Sequence, residues 1–206
     1  MQQTKAAQTQ ATKEKLERVA SELFAAHGFG GVSAEELVAK AGVTRGALYH
    51  HYDGKEGLFE AVVDGVMQDV HAKLAAAAGK RADPLDALEH GIAVYLKICT
   101  DPKVQRILLM DAPAVLGWPR WRELDAKYGF GLVKQALVRA AKAGLLRQYD
   151  VDVLAHVLLG ALTEAAMAVA RSPHPVQMRK DVARALASVL DAWRSPVVSH
   201  DRTEKA

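Results

Sequence analysis

The sequence has little that would support covalent chemistry or a disulfide framework. Its 206 residues contain one cysteine, Cys99, which excludes an internal disulfide. Because Cys99 lies in an apolar stretch, it is typical of an inert core thiol. The patterns HExxH and GxSxG, a phosphate-binding P-loop and paired catalytic carboxylates are all missing. We therefore expect no enzyme, no catalytic residue and no cofactor.

Signals for secretion, membrane insertion and strands are equally scarce. The N-terminus is polar, and the longest apolar run, 153–170, is interrupted by His156 and Glu164. Apolar residues recur at helical spacing in most of the chain, whereas strand alternation is nearly absent. These features predict an all-α, cytoplasmic protein with no membrane partner.

The first third of the chain contains the start and stop signals of two short helices joined by a tight turn. The segment SAEE at 33–36 is a capping box, and Gly42 suits the left-handed backbone that ends a helix. Thr44 is a good N-cap for the next helix. A second capping box, at 53–56, predicts a longer helix that opens at Lys55. This arrangement is a helix-turn-helix, which inserts a helix end into the major groove of DNA.

An amphipathic segment from Thr12 to a stop at Gly28 completes a three-helix unit. The stretch from Thr12 to about Phe59 resembles the DNA-binding domain of the TetR/AcrR family of bacterial transcriptional regulators. The residues that carry the resemblance are Leu23-Phe24, Gly28-Phe29, Ala41-Gly42-Val43, Thr44-Arg45-Gly46-Ala47-Leu48-Tyr49, His51-Tyr52, Lys55 and Leu58-Phe59. The segment DAPAVLGWPRWRELD at 111–125 also resembles one seen in many members.

The sequence departs mildly from the family pattern at three places. Val38 stands where the family usually has a small residue, Gly54 where it has serine, and Tyr52 where it often has phenylalanine. The departure at Gly54 weakens one helix cap.

The resemblance implies an all-helical homodimer whose N-terminal domains each read half of a palindromic operator in double-stranded DNA. The remaining helices would bind a small-molecule effector that releases the DNA. We therefore expect an N-terminal three-helix domain with a helix-turn-helix and a C-terminal helical ligand-binding and dimerisation domain. The expected divisions are a disordered tail at 1–11, the DNA-binding domain at 12–59, the effector-binding and dimerisation domain at 60–195, and a disordered tail at 196–206.

By the same resemblance, two groups of residues are candidates for DNA binding. The candidate base-edge and groove contacts are Arg45, Gly46, Tyr49 and His50. The candidate phosphate contacts are Ser33, Thr44, His51, Tyr52 and Lys55. The planar fork of Arg45 can address guanine through two hydrogen bonds, and helix N-termini at Thr44 and Lys55 favour phosphate. A metal site at His50-His51 is the weaker alternative, because adjacent helical residues point in different directions.

The net charge does not by itself indicate DNA binding. Residues 1–60 contain seven basic and eight acidic side chains, and the formal net charge of the whole chain is +3. Nonspecific affinity for phosphate should therefore be modest and sensitive to salt. Specificity must depend on the placement of a few groups and on dimerisation.

The rest of the chain is predicted to be helical, with clear breaks. Asp83-Pro84 and Asp101-Pro102 each provide an N-cap followed by proline in the first turn, and Pro113 is expected to close a short helix. The last two long helices are expected to form the dimer interface. Their apolar stripes are Leu158, Ala161, Leu162, Ala165, Ala166, Val169 and Ala170, and Val182, Leu186, Val189, Leu190 and Trp193. The alternative is that both stripes pack within one subunit.

An effector cavity is expected between the Lys55 helix and the middle helices. Its expected lining is Met67, Val70, His90, Tyr95, Met110, Trp118, Trp121, Tyr128 and His156. The alternatives are a ligand-independent DNA-binding regulator or activator, which a cavity-free core would favour, and a helical protein–protein adaptor. An adaptor would not need Arg45, Tyr49 and Lys55 exposed together.

Overall fold

The computed structural model describes residues 5–78 and 81–196, and these ranges form a succession of helices. The elements are α1 (Lys5–His27), α2 (Ala34–Ala41), α3 (Arg45–Tyr52), α4 (Lys55–Ala78), α5 (Pro84–Ile98), α6 (Pro102–Val104), a π-helical segment (Gln105–Asp111), α7 (Ala112–Val115), α8 (Trp118–Lys142), α9 (Val151–Arg171) and α10 (Pro175–Trp193). Within the described ranges there is no strand, and one antiparallel bridge joins Leu146 to Arg194. The predicted all-α class is therefore confirmed.

Helix α1 begins earlier than the sequence prediction. Residues 5–11 belong to α1, so the expected disordered tail at 1–11 is wrong over this stretch. The segment is rich in alanine, glutamine and lysine, which favour helices, and Gln10 bonds to Glu14 one turn later at 2.9 Å. Residues 1–4 and 197–206, which include most of the expected C-terminal tail, lie outside the described residues.

The turn between α2 and α3 follows the predicted chemistry. Gly42 adopts a left-handed conformation with φ of 59°, which a side chain would strain. Its amide donates to the Ala39 carbonyl at 3.1 Å, and the Val43 amide donates to the Val38 carbonyl at 3.0 Å. The Thr44 hydroxyl then accepts from the Ala47 amide and opens α3.

The second predicted capping box is wrong. Asp53 is the C-cap of α3, with φ of 57° and an amide that donates to the Tyr49 carbonyl. A left-handed residue cannot also present the extended backbone that an N-cap needs. Gly54 follows with φ of 103°, and its carbonyl accepts from the Leu58 amide at 3.2 Å.

One apolar cluster joins the first three helices to the rest of the protein. It extends from Leu16 and Phe24 on α1 through Phe59 and Val63 on α4 to Trp121 on α8. The rings of Phe24, Phe29 and Phe59 also contact one another, with centroids 5.1–5.8 Å apart. The expected boundary between residues 59 and 60 therefore falls inside both a helix and a continuous core.

Pro113 does not end its helix, contrary to the prediction. The chain stays helical from Pro102 to Val115, and residues 105–111 adopt the wider π-helical turn. A shift from i−4 to i−5 bonding changes which carbonyl each following amide must reach. The missing amide of Pro113 then lies in the first turn of α7, where proline is tolerated.

The apolar stripes assigned to the dimer interface mostly face the subunit's own core. Leu158, Leu162, Ala166 and Val169 of α9 are buried within the subunit, as are Leu186 and Leu190 of α10. The intramolecular alternative is therefore correct for these side chains. By length and composition α9 could span a membrane, but half of its apolar window is buried inside the fold, which is typical of a core helix.

Trp121 and Trp118 provide a matched pair for testing this core. Trp121 is 2 % exposed and Trp118 57 % exposed, although their rings lie 5.0 Å apart. The Trp121 indole also donates to the Leu108 carbonyl at 3.0 Å. Trp121→Ala should lower the free energy of unfolding by about 3–5 kcal/mol, and Trp118→Ala by less than about 1 kcal/mol. Denaturant unfolding at equal protein concentration measures both, and equal losses would contradict this core assignment.

Candidate DNA-binding surface and effector cavity

The exposed face of α3 displays the four residues expected to contact base edges. Leu48 faces inward and is fully buried, whereas Arg45, Gly46, Tyr49 and His50 are all exposed. A helix that is anchored by one buried leucine and capped by Thr44 presents its N-terminal turn to solvent. This is the geometry that a recognition helix needs in order to enter the major groove.

The Arg45 guanidinium is already engaged in the free protein. Its Nη1 lies 2.9 Å from Glu35 Oε1, and its central carbon lies 5.6 Å from the centroid of the Tyr49 ring. A hydrogen bond with Tyr49 and the charge of Glu35 raise the pKa of Arg45. The guanidinium is therefore held beside Tyr49 at the start of α3, with Nη1 paired to Glu35. Sequence reasoning did not identify Glu35, since the pair joins residues on different helices.

The expected phosphate contacts differ in their surroundings. Ser33 and Thr44 are exposed N-caps whose side-chain oxygens accept from Glu36 N at 3.1 Å and Ala47 N at 3.2 Å. Free amides at such helix N-termini attract anions. The half-buried His51 ring lies 4.9 Å from the His50 ring.

Tyr52 and Lys55 are half-buried and have partners inside the domain in the absence of DNA, and their phosphate contacts stay a prediction. The Tyr52 hydroxyl donates to Glu17 Oε1 at 2.7 Å, and burial raises its pKa. Lys55 Nζ donates to the carbonyls of Phe29 and Val32 at 3.1 and 2.9 Å and lies 3.9 Å from the Phe29 ring centroid. Lys55 thereby supplies a donor to two carbonyls of the loop between α1 and α2, of which Phe29 also accepts from the Val32 amide at 3.4 Å.

A cavity of about 320 Å³ lies among α4, α5, α8 and α9. Its lining is Leu74, Ala75, Ala87, Leu88, Gly91, Ile92, Tyr95, Asp125, Gly129, Leu132, Val133, Gln135, Ala136, Arg139, Leu159 and Leu162. A smaller cavity of about 70 Å³ adjoins it and shares Leu74, Tyr95, Asp125 and Gly129. The size and apolar lining of the larger cavity suit a small organic molecule.

Asp125 is the acid at the junction of the two cavities. Its Oδ2 accepts from Arg122 at 2.5 Å and from the Thr163 hydroxyl at 3.0 Å. Burial raises the pKa of Asp125, and its contacts with Arg122 and Thr163 partly oppose that shift. A largely buried carboxyl with its charge balanced by one guanidinium therefore faces the cavity.

Comparison with known proteins agrees with both parts of this architecture. Residues 18–62 match the family model described as "Bacterial regulatory proteins, tetR family". Residues 85–193, more than half of the chain, match the model "Tetracyclin repressor-like, C-terminal domain". The chain belongs to the TetR family.

Individual TetR-family relatives cover much of the chain. The Transposon Tn10 TetC protein of Escherichia coli is 28% identical over 149 residues, which are 72% of this chain and 75% of that protein. The transcriptional repressor KstR2 of Rhodococcus jostii is 27% identical over 97 residues, or 40% of this chain and 48% of that protein. A TetR-family regulator from Pectobacterium atrosepticum has a crystal structure that superposes with a TM-score of 0.82 at 28% identity, covering 93% of this chain and 98% of that one. The protein is thus a DNA-binding transcriptional regulator of the TetR family.

Five of the nine side chains expected to line an effector cavity lie against one of the two cavities, and their role in effector binding stays a prediction. Tyr95 lines both cavities, and the smaller cavity is also lined by Met67, Val70, Trp121 and Tyr128. The sequence did not single out Asp125, Gln135 or Arg139, although their spacing from Gly129 and Leu132 places them on one face of α8.

The other four expected residues lie elsewhere. Met110 and Trp118 are more than half exposed, because the π-helical segment and the first turn of α8 rotate them outward. His156 is on the exposed side of α9 and stacks on Phe130, with centroids 4.5 Å apart. His90 Nδ1 lies 3.5 Å from an Arg81 nitrogen.

Two further groups define the chemistry near the cavity. Burial raises the pKa of the Tyr95 hydroxyl well above its usual value and that of the neighbouring Cys99 thiol to about 12. Both groups therefore stay protonated at neutral pH. Among the residues that the structure describes, no group of three or more His, Cys, Asp or Glu side chains could hold a metal ion.

Proposed function

We propose that the protein is a cytoplasmic repressor that binds a palindromic operator as a homodimer and is released by a small-molecule effector. The observation that carries the proposal is the joint exposure of Arg45, Gly46, Tyr49 and His50 on the capped first turns of α3. The cavity of about 320 Å³ favours effector control over a ligand-independent regulator or activator, because the latter needs no such space.

Arg45 and Tyr49 are the side chains whose loss should lower operator affinity most. Arg45→Ala and Tyr49→Ala should each weaken binding to an operator, selected from genomic fragments, by about 10- to 100-fold at a fixed salt concentration. Lys142→Ala removes a charge from the exposed end of α8 and should leave affinity nearly unchanged. Fluorescence anisotropy with labelled duplex measures all three.

Substitution of Glu35 should raise operator affinity, whereas substitution of Arg45 or Tyr49 should lower it. Glu35→Gln frees Arg45 from its exposed ion pair, which should strengthen operator binding by up to about fivefold. A folded protein whose affinity is insensitive to Arg45 and Tyr49 would contradict the assigned recognition face.

The proposed dimer uses the outer face of α9, not the buried stripes predicted from the sequence. Val153 and Val157 are 58% and 54% exposed, and Gly160 and Glu164 continue the same face at helical spacing. Val176 and Val189 of α10 are also exposed. Isolated apolar side chains are common on surfaces, but two exposed valines one turn apart on a long helix fit a two-fold helical interface.

Val157→Glu should convert the dimer to monomers. A two-fold interface receives every substitution twice, and an unpaired buried carboxylate costs several kcal/mol. Met110→Glu is the matched control, because Met110 is equally exposed but lies on the π-helical segment. Sedimentation velocity at micromolar concentration gives the masses. A monomeric wild-type protein, or an unchanged mass for Val157→Glu, would contradict this interface.

The π-helical segment connects the cavities to the DNA-binding domain. Leu108 and Leu109 line the smaller cavity, while Asp111 Oδ2, in the same segment, accepts from the Phe29 amide at 2.8 Å. Arg106 donates to the His27 carbonyl at 3.4 Å. A Cβ on Gly28 would lie 2.5 Å from the Arg106 guanidinium, so the contact is close.

Helix α4 offers a parallel connection. Leu74 and Ala75 line the larger cavity near its C-terminal end, and Lys55 at its N-terminal end binds the carbonyls of Phe29 and Val32. Both routes therefore end on the loop between α1 and α2. An effector that favours another position of this loop would lower DNA affinity in proportion to its preference for that state.

A double-mutant cycle tests the route through the π-helical segment without a ligand. Val70→Phe adds volume to the smaller cavity and should weaken operator binding at least fivefold, as a bound effector would. In an Asp111→Ala background, which lacks the bond to Phe29, the same change should have at most a twofold effect. Asp111→Asn keeps an acceptor oxygen and should preserve the full effect. Purely multiplicative effects in the Asp111→Ala background would exclude this route.

A further inference from the structure

The larger cavity is long and largely apolar. Its α8 wall extends from Asp125 to Arg139, about 21 Å at 1.5 Å of helical rise per residue. Gly91 and Gly129 provide part of the room; a Cβ built on Gly91 would meet nothing within 4 Å, and one on Gly129 would meet Leu159 at 3.0 Å. An extended, largely apolar molecule therefore fits better than a compact polar one.

The inner end of this cavity offers one hydrogen-bond acceptor. Asp125 Oδ2 is occupied by Arg122 and Thr163, whereas no residue that the structure describes donates to Oδ1. A ligand donor that reached this point would gain a partner that the protein itself leaves open.

The charges around the cavity disfavour a cationic ligand. The positive charge of Arg122 balances Asp125 at the inner end, and Arg139 adds a second positive charge at the exposed end. Asp125 is the one acidic side chain in the described lining of either cavity. An ammonium group would therefore meet a neutralised carboxyl and two guanidinium groups, whereas a hydroxyl needs no counter-charge.

We propose that the cavity takes an elongated, uncharged, apolar molecule with one hydroxyl group, which donates to Asp125 Oδ1 at the inner end. This inference rests on the proposed effector function, since it names the class of molecule for the same cavity. It assigns Asp125 as the residue that selects the ligand, with Arg122 and Thr163 positioning its carboxyl group.

Four biphenyl probes separate these features. They are 4-phenylphenol, which has a donor; biphenyl, which has no polar group; 4-methoxybiphenyl, which only accepts; and biphenyl-4-carboxylate, which is anionic. Calorimetry with the full-length protein should show 4-phenylphenol binding about 10- to 100-fold more tightly than each of the other three, as expected for one hydrogen bond to a charged acceptor. Equal affinities for the phenol and the ether, or tighter binding of the carboxylate, would overturn the proposal.

Variants show whether Asp125 is the source of the preference. The double variant Arg122→Leu/Asp125→Leu removes the ion pair as a unit and so leaves no unpaired buried charge. It should still bind biphenyl but prefer 4-phenylphenol over biphenyl by less than about threefold. A retained preference in this double variant would also overturn the proposal.

Glycine substitutions locate the binding site. Gly91→Leu places a side chain in the cavity and should abolish binding of 4-phenylphenol. Gly65→Leu is the control, because Gly65 is an exposed helical glycine that is also free of neighbours within 4 Å. Tight binding that survives Gly91→Leu would place the ligand elsewhere and refute the assignment.

Operator release, measured separately, distinguishes this inference from the proposed function. If 4-phenylphenol binds with the expected preference and displaces the operator, both are supported. If it binds with that preference but leaves DNA affinity unchanged, the ligand class stands and effector control fails. If none of the probes binds at its solubility limit, the ligand class fails, while operator binding by Arg45 and Tyr49 stands on its own test.

Discussion

Burial of α4 on two sides is the constraint on which the rest of the structure depends. Its first half packs Leu58, Phe59 and Val63 against α1 and α3, and its second half meets the cavity helices. Because a close-packed interior resists small displacements, the positions of α1, α2 and α3 depend on the packing around the cavity. A change in the cavity must either be absorbed locally or move the first three helices together with α4.

Similar residue types perform different tasks in the DNA-binding domain. Tyr49 and Arg45 point to solvent, while Tyr52 and Lys55, a few residues later, hold the domain together through Glu17 and the carbonyls of the α1–α2 loop. With charges nearly balanced over residues 1–60, the domain has no broad positive field. In the proposed homodimer, recognition would depend on the few exposed groups and on the distance between the two copies of α3.

The sequence was most informative where a structural feature is local. Capping residues located the starts of α2, α3, α5 and α6, and the Gly42 turn formed as expected. Tertiary information was needed elsewhere: an amphipathic stripe shows that α9 buries one face but not what covers it. Likewise, helical periodicity could not show that Trp121 is buried and Trp118 exposed. Nor could the residues around Pro113 indicate the π-helical turn before it, because that turn contacts residues distant in sequence.

The protonated, buried state of Cys99 has a practical consequence. The wild-type chain has no other thiol, and a pKa of about 12 leaves almost no thiolate at pH 7 to react. A cysteine introduced on the outer side of α3 would then be the preferred attachment point for a nitroxide or a fluorophore, without prior removal of the native one. In the proposed dimer, spin-label distances between the two copies of α3 would report their separation directly, with and without DNA.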